Sequence, residues 1–302
     1  MNAEKALNVG PSGIEVVYER FGDPEAPPVL LVMGAGGQMI AWHEGFCAEL
    51  VAQGLQAIRF DNRDVGLSTH FHDAPVPDLP AVLAGDLSSV SYTLSDMAGD
   101  TVGLLDALGL DSAHLVGASM GGMIAQTAAI EHPGRVGSLT SIMSSTGDGS
   151  VGQPHPEALA ALAGPPATTR EEVIEQWVRA SRVVRSPGFE PDEATLRERV
   201  GLAYDRSFDP TGMIRQAVAV VASGDRTALL GSLDLPALIV HGADDVLCDV
   251  SGGRATADAI PGAELVVIDG MGHDLPRALW PGLAARIAAV VQRAESVTRS
   301  PL

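Results

Sequence analysis

Short, continuously apolar runs alternate with amphipathic segments along most of this chain, and no other feature of the sequence constrains its fold as strongly. Val29–Met33 is one such run, and it is typical of a strand buried in a parallel sheet. The next segment, Ala41–Gln53, has apolar residues at helical spacing, with Trp42 and Phe46 four positions apart. Further strands are predicted at Gln56–Phe60, Ala113–Val116, Val136–Met143, Ala237–Val240 and Glu264–Ile268. Further helices are predicted at Leu94–Leu108, at Met120–Ile130, near Arg254–Ile260 and over about Pro281 to Gln292. The alternation predicts an α/β fold with a mostly parallel sheet flanked by helices.

The strand rhythm stops after about residue 146, and only helices are predicted from there to about residue 233. Thr169 and Glu172 form a capping box at the start of one of these helices. Asp209 and Pro210 read as an N-cap followed by proline at the first helical position. We expect a core domain of residues 1–146 and 234–302 with an inserted helical cap of residues 147–233. Such an insertion forms either a lid over a functional site or additional packing.

The composition is that of a globular protein, with 46% hydrophobic and 19% charged residues. The 38 Asp and Glu exceed the 19 Lys and Arg, and the resulting charge of −19 disfavours nucleic acid and anionic membranes as partners. Cys47 and Cys248 are too few for a disulfide framework, so we expect buried free thiols. Met1–Lys5 carries no apolar run typical of a signal peptide, and no stretch approaches the ~18 apolar residues of a membrane span. We therefore expect a cytoplasmic protein, and the sequence leaves its oligomeric state open.

The pattern Gly-x-Ser-x-Gly occurs at Gly117–Gly121, with Ser119 at its centre. The bare pattern is weak evidence, but here it follows a predicted strand and opens a predicted helix. That strand–turn–helix setting is the one in which a strained turn exposes a nucleophilic serine. The flanking glycines also fit a plain packing turn between helix and sheet. We favour the nucleophile.

A serine hydroxyl needs a base, and the base needs an acid that orients it. If the order along the chain is serine, acid, histidine, then His273 is the one histidine placed after the strand at 237–240 and its loop. The acid is expected in that loop, at Asp244 or Asp245. Adjacent side chains of an extended loop point in opposite directions, so at most one of the two can face His273. Asp148, after the strand at 136–143, is another possible location.

These segments together resemble the α/β-hydrolase superfamily. The resemblance rests on Gly117–Gly121, on His241-Gly-x-x-Asp245 and on Gly272-His273, and it spans nearly the whole chain outside residues 147–233. It implies that Asp245 is the acid of a Ser119–His273–Asp245 triad. It also implies an oxyanion hole formed by the backbone N–H groups of Ala35 and Met120, with no metal ion and no cofactor. The chain departs from the family in having Met33 where histidine is usual.

A finer resemblance rests on Met33-Gly34 and on the loop Asp61–Ser68, in which Asp64 replaces the usual glycine. These features are similar to those of aclacinomycin methylesterase-like esterases and, almost equally, of cofactor-free haloperoxidase-like esterases. The resemblance implies hydrolysis of carboxylic esters of small to medium apolar molecules, and a structural role for the loop. The expected pocket walls are apolar side chains from several segments: Met33, Trp42, Met143, Trp177 and Met271. A hydrolase-fold ligand receptor with slow or single turnover, a perhydrolase-type enzyme and a lactone hydrolase stay open as alternatives.

Other motifs are less informative. After Gly34 and Gly36, the dinucleotide-binding pattern Gly-x-Gly-x-x-Gly requires a glycine at position 39. The chain has Met39 there, so the pattern fails. The stretch His70-Phe71-His72-Asp73 contains metal-binding residue types, but without a further ligand cluster we expect a solvated loop. Ser119 in place of a carboxylate disfavours the epoxide hydrolase and dehalogenase branches.

Overall fold

The computed structural model describes residues 3–163 and 167–298, in which the strands form one eight-stranded sheet. The strands are β1 (Glu4–Val9), β2 (Ile14–Phe21), β3 (Pro28–Val32), β4 (Gln56–Phe60), β5 (Ala113–Ala118), β6 (Val136–Ile142), β7 (Ala237–Gly242) and β8 (Glu264–Ile268). The helices are α1 (Glu44–Ala52), α2 (Leu79–Leu83), α3 (Leu94–Leu108), α4 (Met120–Glu131), α5 (Pro156–Leu162), α6 (Arg170–Val184), α7 (Glu193–Arg206), α8 (Pro210–Ser223), α9 (Thr227–Leu230), α10 (Ser251–Ala259) and α11 (Trp280–Thr298). Single 3₁₀ turns lie at Met39–Ala41, Pro133–Arg135 and Arg277–Leu279.

The sheet order is β1-β2-β4-β3-β5-β6-β7-β8, and the six strands from β3 to β8 pair in parallel. The predicted fold class, an α/β-hydrolase fold, is confirmed. The predicted strands lie within about one residue of the observed ones, except that Ala113–Val116 extends to Ala118 in β5 and Ala237–Val240 extends to Gly242 in β7. The carboxyl ends of the parallel strands are where such sheets place their functional loops.

Two antiparallel strands at the sheet edge, β1 and β2, were not predicted from the sequence. They are joined by a tight turn in which Gly10 and Gly13 have positive φ, so no amphipathic helix separates them. β2 also carries the buried Glu19, whose carboxylate pairs with the Arg59 guanidinium of β4. Because β2 contains a charged residue and no helix separates β1 from β2, this part of the sequence lacks the alternation of apolar runs and helices that identified the other strands.

The two faces of the sheet bury separate apolar cores, because successive side chains of a strand point to opposite faces. Leu30 and Val32 of β3 belong to the core beneath α3 and α4, while Val29 and Leu31 belong to the core beneath α1 and α11. Cys47 and Cys248 are buried and unpaired, as expected. Within the described residues, the helices are all too short or too polar to cross a membrane.

The described part of the inserted segment, residues 147–233, contains helices α5 to α9 and no strand. The capping box of Thr169 and Glu172 is present, and Asp209 caps α8 as the sequence indicates. Buried ion pairs join this segment to the rest of the molecule. One of them forms between Arg206 and Asp61. A second pair joins Arg215 to Asp64. The proposed division into core and cap stays a prediction, and residues 1–2, 164–166 and 299–302 lie outside the described residues.

Candidate active site

Ser119 lies at the junction of β5 and α4, with φ of 55° and ψ of −124°. This is a backbone conformation that residues other than glycine seldom adopt. Its N–H donates to the Ile142 carbonyl at 2.9 Å, which ties the turn to the neighbouring strand. A Cβ atom on Gly117 would lie 2.1 Å from the Gly121 carbonyl oxygen, and one on Gly121 would lie 2.0 Å from the Val32 carbonyl oxygen. Only glycine fits at either position, so the spacing of the motif follows from backbone contact.

His273 connects Ser119 to Asp245. Its Nε2 lies 3.1 Å from Ser119 Oγ, and its Nδ1 lies 2.7 Å from Asp245 Oδ2. Because a carboxylate can only accept, Nδ1 carries the proton in this contact, and Nε2 is left to accept the hydroxyl proton of Ser119. The structure therefore brings together the three residues that the sequence singled out, in the order that base catalysis requires.

The Asp245 carboxylate is buried and fully hydrogen-bonded. Its Oδ1 accepts the backbone N–H groups of Leu247 and Cys248, each at 2.9 Å, which leaves Oδ2 for His273. His241 lies behind it: its Nε2 donates to the Cys248 carbonyl at 2.7 Å and lies 3.6 Å from Asp245 Oδ2. Burial lowers the pKa of His241 below its ordinary value, so this imidazole is neutral at physiological pH.

The two alternative acids bind elsewhere. Asp244 Oδ2 accepts the Gly270 N–H at 2.8 Å and so helps to shape the loop that carries His273. Asp148 Oδ1 accepts the N–H and the hydroxyl of Ser150 in a local turn. Among the described contacts, neither carboxylate reaches His273.

The loop of His273 is held from the inserted segment. The His273 N–H donates to the Val184 carbonyl at 2.7 Å, and the Gly272 N–H donates to Ser186 Oγ at 2.9 Å. Asp274 in turn accepts the N–H and hydroxyl of Ser186. Ser186 and Asp274 were not singled out from the sequence, because single polar residues in loops carry no recognisable pattern.

The expected oxyanion donors follow β3 and Ser119. In the part of the chain that the structure describes, the N–H groups of Ala35 and Met120 form no hydrogen bond. The next N–H, that of Gly36, donates to Gln216 Oε1 at 2.8 Å, and Gln216 Nε2 donates to the Arg63 carbonyl at 2.7 Å. Gln216 is buried in the middle of α8, where sequence analysis had no motif to identify it.

The five residues expected to line a pocket lie in different surroundings. Trp42, Met143 and Met271 are buried in the core beneath α1 and α11. Met33 is half-buried and lies against Gly37, while Trp177 on α6 is 39% exposed. Their roles in binding stay predictions.

Met213 of α8 also lies beside the loop that follows β3. A Cβ on Gly36 would lie 2.7 Å from Met213 Sδ. The inserted segment therefore places an apolar side chain beside the expected oxyanion donors, at a position that was not among the predicted pocket residues.

The loop 61–68 joins these parts. Asp61 accepts the Met39 N–H at 2.7 Å and the Leu67 N–H at 3.0 Å, as well as pairing with Arg206. Asp64 has φ of 65°, in the left-handed region that favours glycine, which accounts for the glycine usual at this position in the similar family. These contacts fit the structural role expected for the loop.

Comparison with known proteins identifies the family. Residues 27–276 match the family model described as alpha/beta hydrolase fold. The chain is 31% identical over 292 residues to the rhodomycin D methylesterase DauP of Streptomyces sp. strain C5, covering 90% of this chain and 93% of that protein. The crystal structure of the esterase RhEst1 from Rhodococcus sp. ECU1013 has a TM-score of 0.72 at 23% identity, over 98% of this chain and 99% of that one. Est816, described as an N-acyl homoserine lactone degrading enzyme, is 27% identical with a TM-score of 0.65, over 96% of this chain and 98% of that one. The chain therefore belongs to the α/β-hydrolase fold family, as its motifs indicated.

Proposed function

We propose that this carboxylic ester hydrolase works through a covalent acyl-enzyme, with Ser119 as the nucleophile, His273 as the general base and Asp245 as the orienting acid. The observation that carries the proposal is the unbroken chain of hydrogen bonds from Asp245 Oδ2 through His273 to Ser119 Oγ. The strained turn at Ser119 supports it, because the turn presents the hydroxyl at the end of β5.

In the first half of the reaction, His273 Nε2 takes the hydroxyl proton as Ser119 Oγ attacks the ester carbonyl carbon. The oxyanion accepts hydrogen bonds from the N–H groups of Ala35 and Met120, which are otherwise unused within the described residues. His273 then gives its proton to the leaving alcohol. In the second half, His273 takes a proton from a water molecule that attacks the acyl carbonyl carbon, and it returns this proton to Ser119 Oγ as the acid leaves.

The proposed substrates are uncharged esters of small to medium apolar molecules. Met33 and Met213 both approach the loop that carries the expected oxyanion donors, and methionine forms adaptable apolar surfaces. The net charge of −19 disfavours anionic substrates. The similarity to the rhodomycin D methylesterase DauP, at 31% identity, supports cleavage of a methyl ester. The resemblance to aclacinomycin methylesterase-like esterases implies that the rest of the substrate is a bulky polyketide-type molecule.

A lactone is a second candidate substrate, favoured by the similarity to Est816. A lactone is a cyclic ester, so Ser119 would open it by the same steps, with the alcohol remaining attached to the acyl group. A panel of methyl esters, aryl esters and lactones of equal carbon number separates the two candidates by their kcat/KM.

Covalent labelling tests the mechanism directly. A fluorophosphonate probe is expected to add one mass increment, on the peptide that contains Ser119, and Ser119→Ala is expected to abolish both labelling and turnover. Repeated turnover of an activated ester at steady state would support the proposal that the protein is a catalyst. Stoichiometric release without further turnover would instead support a hydrolase-fold receptor, and labelling at another residue would overturn the assignment of the nucleophile.

A further inference from the structure

Two histidines and a carboxylate from distant parts of the chain meet at the surface where α8 begins. The ligand atoms of His70, His72 and Asp209 lie within 4.8 Å of one another. Asp209 Oδ2 lies 2.8 Å from His70 Nδ1 and 3.7 Å from His72 Nδ1. The sequence led us to expect a solvated loop here, because Asp209 is 139 residues away from His70 and could not be connected with it.

The carboxylate of Asp209 is held in a fixed orientation. Its Oδ1 accepts the backbone N–H groups of Thr211 at 3.1 Å and Gly212 at 3.0 Å, as the N-cap of α8. These two bonds occupy one oxygen and direct the other towards the histidines. Hydrogen bonds that orient a ligand in this way are typical of the outer shell of a metal site.

His70 is also held, and its contacts leave Nδ1 facing the carboxylate of Asp209. Its Nε2 lies 3.0 Å from the Gly66 carbonyl oxygen, which is nearer than the Ser207 hydroxyl at 3.5 Å. A carbonyl can only accept, so Nε2 carries a proton, and in the neutral imidazole the lone pair of Nδ1 then faces the carboxylate of Asp209. Two acceptors at 2.8 Å repel each other unless a proton or a metal ion lies between them.

The position of His72 favours a metal ion over a proton. The rings of His70 and His72 are stacked with centroids 5.3 Å apart and an interplanar angle of 11°. Both rings turn Nδ1 towards the same carboxylate oxygen, whereas a proton shared with Asp209 would need only one of them. The His70 side chain is 13% exposed and that of His72 is 71% exposed, so the site opens to solvent on one side.

The positive charge of Arg215 lies near Asp209, but it is balanced by Asp64. The Arg215 guanidinium lies 3.6 Å from Asp209 Oδ2, but it donates to both carboxylate oxygens of Asp64 at 2.9 and 3.2 Å. The carboxylate of Asp209 therefore stays available to a cation.

We propose that His70 Nδ1, His72 Nδ1 and Asp209 Oδ2 bind one divalent transition-metal ion of the Zn²⁺ class, with solvent completing its coordination. Two imidazoles and one carboxylate form a ligand set that Zn²⁺ accepts in proteins. The ion would join the loop after β4 to the first turn of α8 and so fasten the inserted segment to the sheet. This proposal is independent of the chemistry at Ser119.

The test is a calorimetric titration of the metal-free, untagged protein with Zn²⁺. The parent is expected to bind one equivalent, and His72→Ala is expected to bind at least about 10-fold more weakly. His72 is exposed, so the variant is expected to fold like the parent, which its unfolding temperature without metal checks. The matched control is His155→Ala, because His155 also lies near two carboxylates, those of Glu157 and Asp249, but without a second histidine.

A second readout is the unfolding temperature in the presence of Zn²⁺. Binding to the folded state raises this temperature in the parent and in His155→Ala, but not in His72→Ala. If His72→Ala binds Zn²⁺ as tightly as the parent, or if the parent binds none, the site is not a metal site.

Discussion

At the scale of single residues, the site depends on a serine whose backbone is strained. A non-glycine residue at φ of 55° and ψ of −124° costs about 1–3 kcal/mol, which the surrounding contacts must offset. The close approach of α4 to β3 and β5 provides these contacts, and it leaves no room for a Cβ at Gly117 or Gly121. Strain and glycine spacing are therefore two aspects of one tight turn.

The first prediction concerns Gly121→Ala. A Cβ at 2.0 Å from the Val32 carbonyl must displace backbone, so we expect a loss of more than about 3 kcal/mol in the free energy of unfolding. Gly134→Ala is the matched control, since a Cβ there meets nothing within 4 Å. Urea unfolding of both variants measures the difference. Equal stability of the two would show that α4 can shift away from the sheet.

The second prediction separates three carboxylates. Asp245→Asn removes the acceptor for His273 Nδ1–H, and in a serine protease the equivalent change costs about 10⁴-fold in kcat. Asp244→Asn is expected to cost much less, since Asp244 orders the Gly270 loop, and Asp148→Asn is expected to leave kcat/KM nearly unchanged. Measuring kcat and kcat/KM of the three variants on one activated ester distinguishes these outcomes. A larger loss in Asp148→Asn than in Asp245→Asn would move the acid to the loop after β6.

Residue patterns revealed Ser119, His273 and Asp245 because each lies in a short motif that reflects local geometry. Gln216 lies in no such motif, and the N-cap motif of Asp209 and Pro210 carries no information about His70. Their partners, the Gly36 N–H and His70, are 180 and 139 residues away along the chain. Only the folded chain shows contacts of that kind, since a polar residue on a helix gives no sign of what it meets.

At the scale of elements, helix α8 connects the inserted segment to the site. Its residues reach both the loop after β3, through Met213 and Gln216, and the loop 61–68, through Arg215. Gln216 links the two loops directly, because it accepts from one and donates to the other. We regard Gln216 as a positioning residue for the loop that carries the Ala35 N–H.

The third prediction follows for Gln216→Met, which keeps the side-chain volume and removes both hydrogen bonds. The Gly36 N–H and the Arg63 carbonyl lose their hydrogen-bond partners, so the loop after β3 is less well ordered. The adjacent Ala35 N–H then no longer points steadily towards the expected oxyanion position. We expect kcat to fall roughly 10- to 100-fold with little change in KM. Weaker binding of a tetrahedral transition-state analogue is expected in parallel. A fall in thermal stability with kcat unchanged would mean that Gln216 only supports the fold.

The fourth prediction compares Met213→Ala with Trp177→Ala. If α8 forms the pocket wall beside Gly36, the parent is expected to gain about fourfold in kcat/KM per methylene of the ester over the first few carbons. Met213→Ala is expected to flatten this rise and to leave acetyl esters nearly unaffected. Trp177→Ala is expected to flatten it too if α6 also lines the pocket. An equal loss on all esters in either variant would indicate a purely structural role for that residue.

Whole elements were predictable where their pattern was strong, and β1 with β2 shows where it was not. Strands β3 and β7 are buried along nearly their whole length, and each contains an unbroken apolar run. β1 has only two buried residues, and β2 carries Glu19 against Arg59, so neither resembles those runs. The change from strands to helices after about residue 146 was easier to predict, because it extends over many residues.

At the scale of the whole molecule, several buried or partly buried histidines lie where protonation is unfavourable. Burial lowers the pKa of His241 and of His114 below the ordinary value, and partial burial does the same for His43. The unfolded chain regains the ordinary value and therefore binds more protons than the folded chain at mildly acidic pH. Acidification thus favours unfolding.

The fifth prediction is that His241→Gln weakens this pH dependence. The folded pKa of His241 lies below 6.5, so its contribution to stability is complete above that pH and is lost as the pH falls towards the folded pKa. Glutamine does not titrate, and its amide can still donate to the Cys248 carbonyl in place of Nε2–H.

Urea unfolding at about pH 7.5, about 6.5 and about 5.5 measures how the free energy of unfolding changes with pH. The slope of this change is expected to be lower in the variant by at most about 1.4 kcal/mol per pH unit. A residual slope is expected from His114 and His43. If His241→Gln keeps the parental slope, the imidazole behind Asp245 is protonated as readily in the folded chain as in the unfolded one.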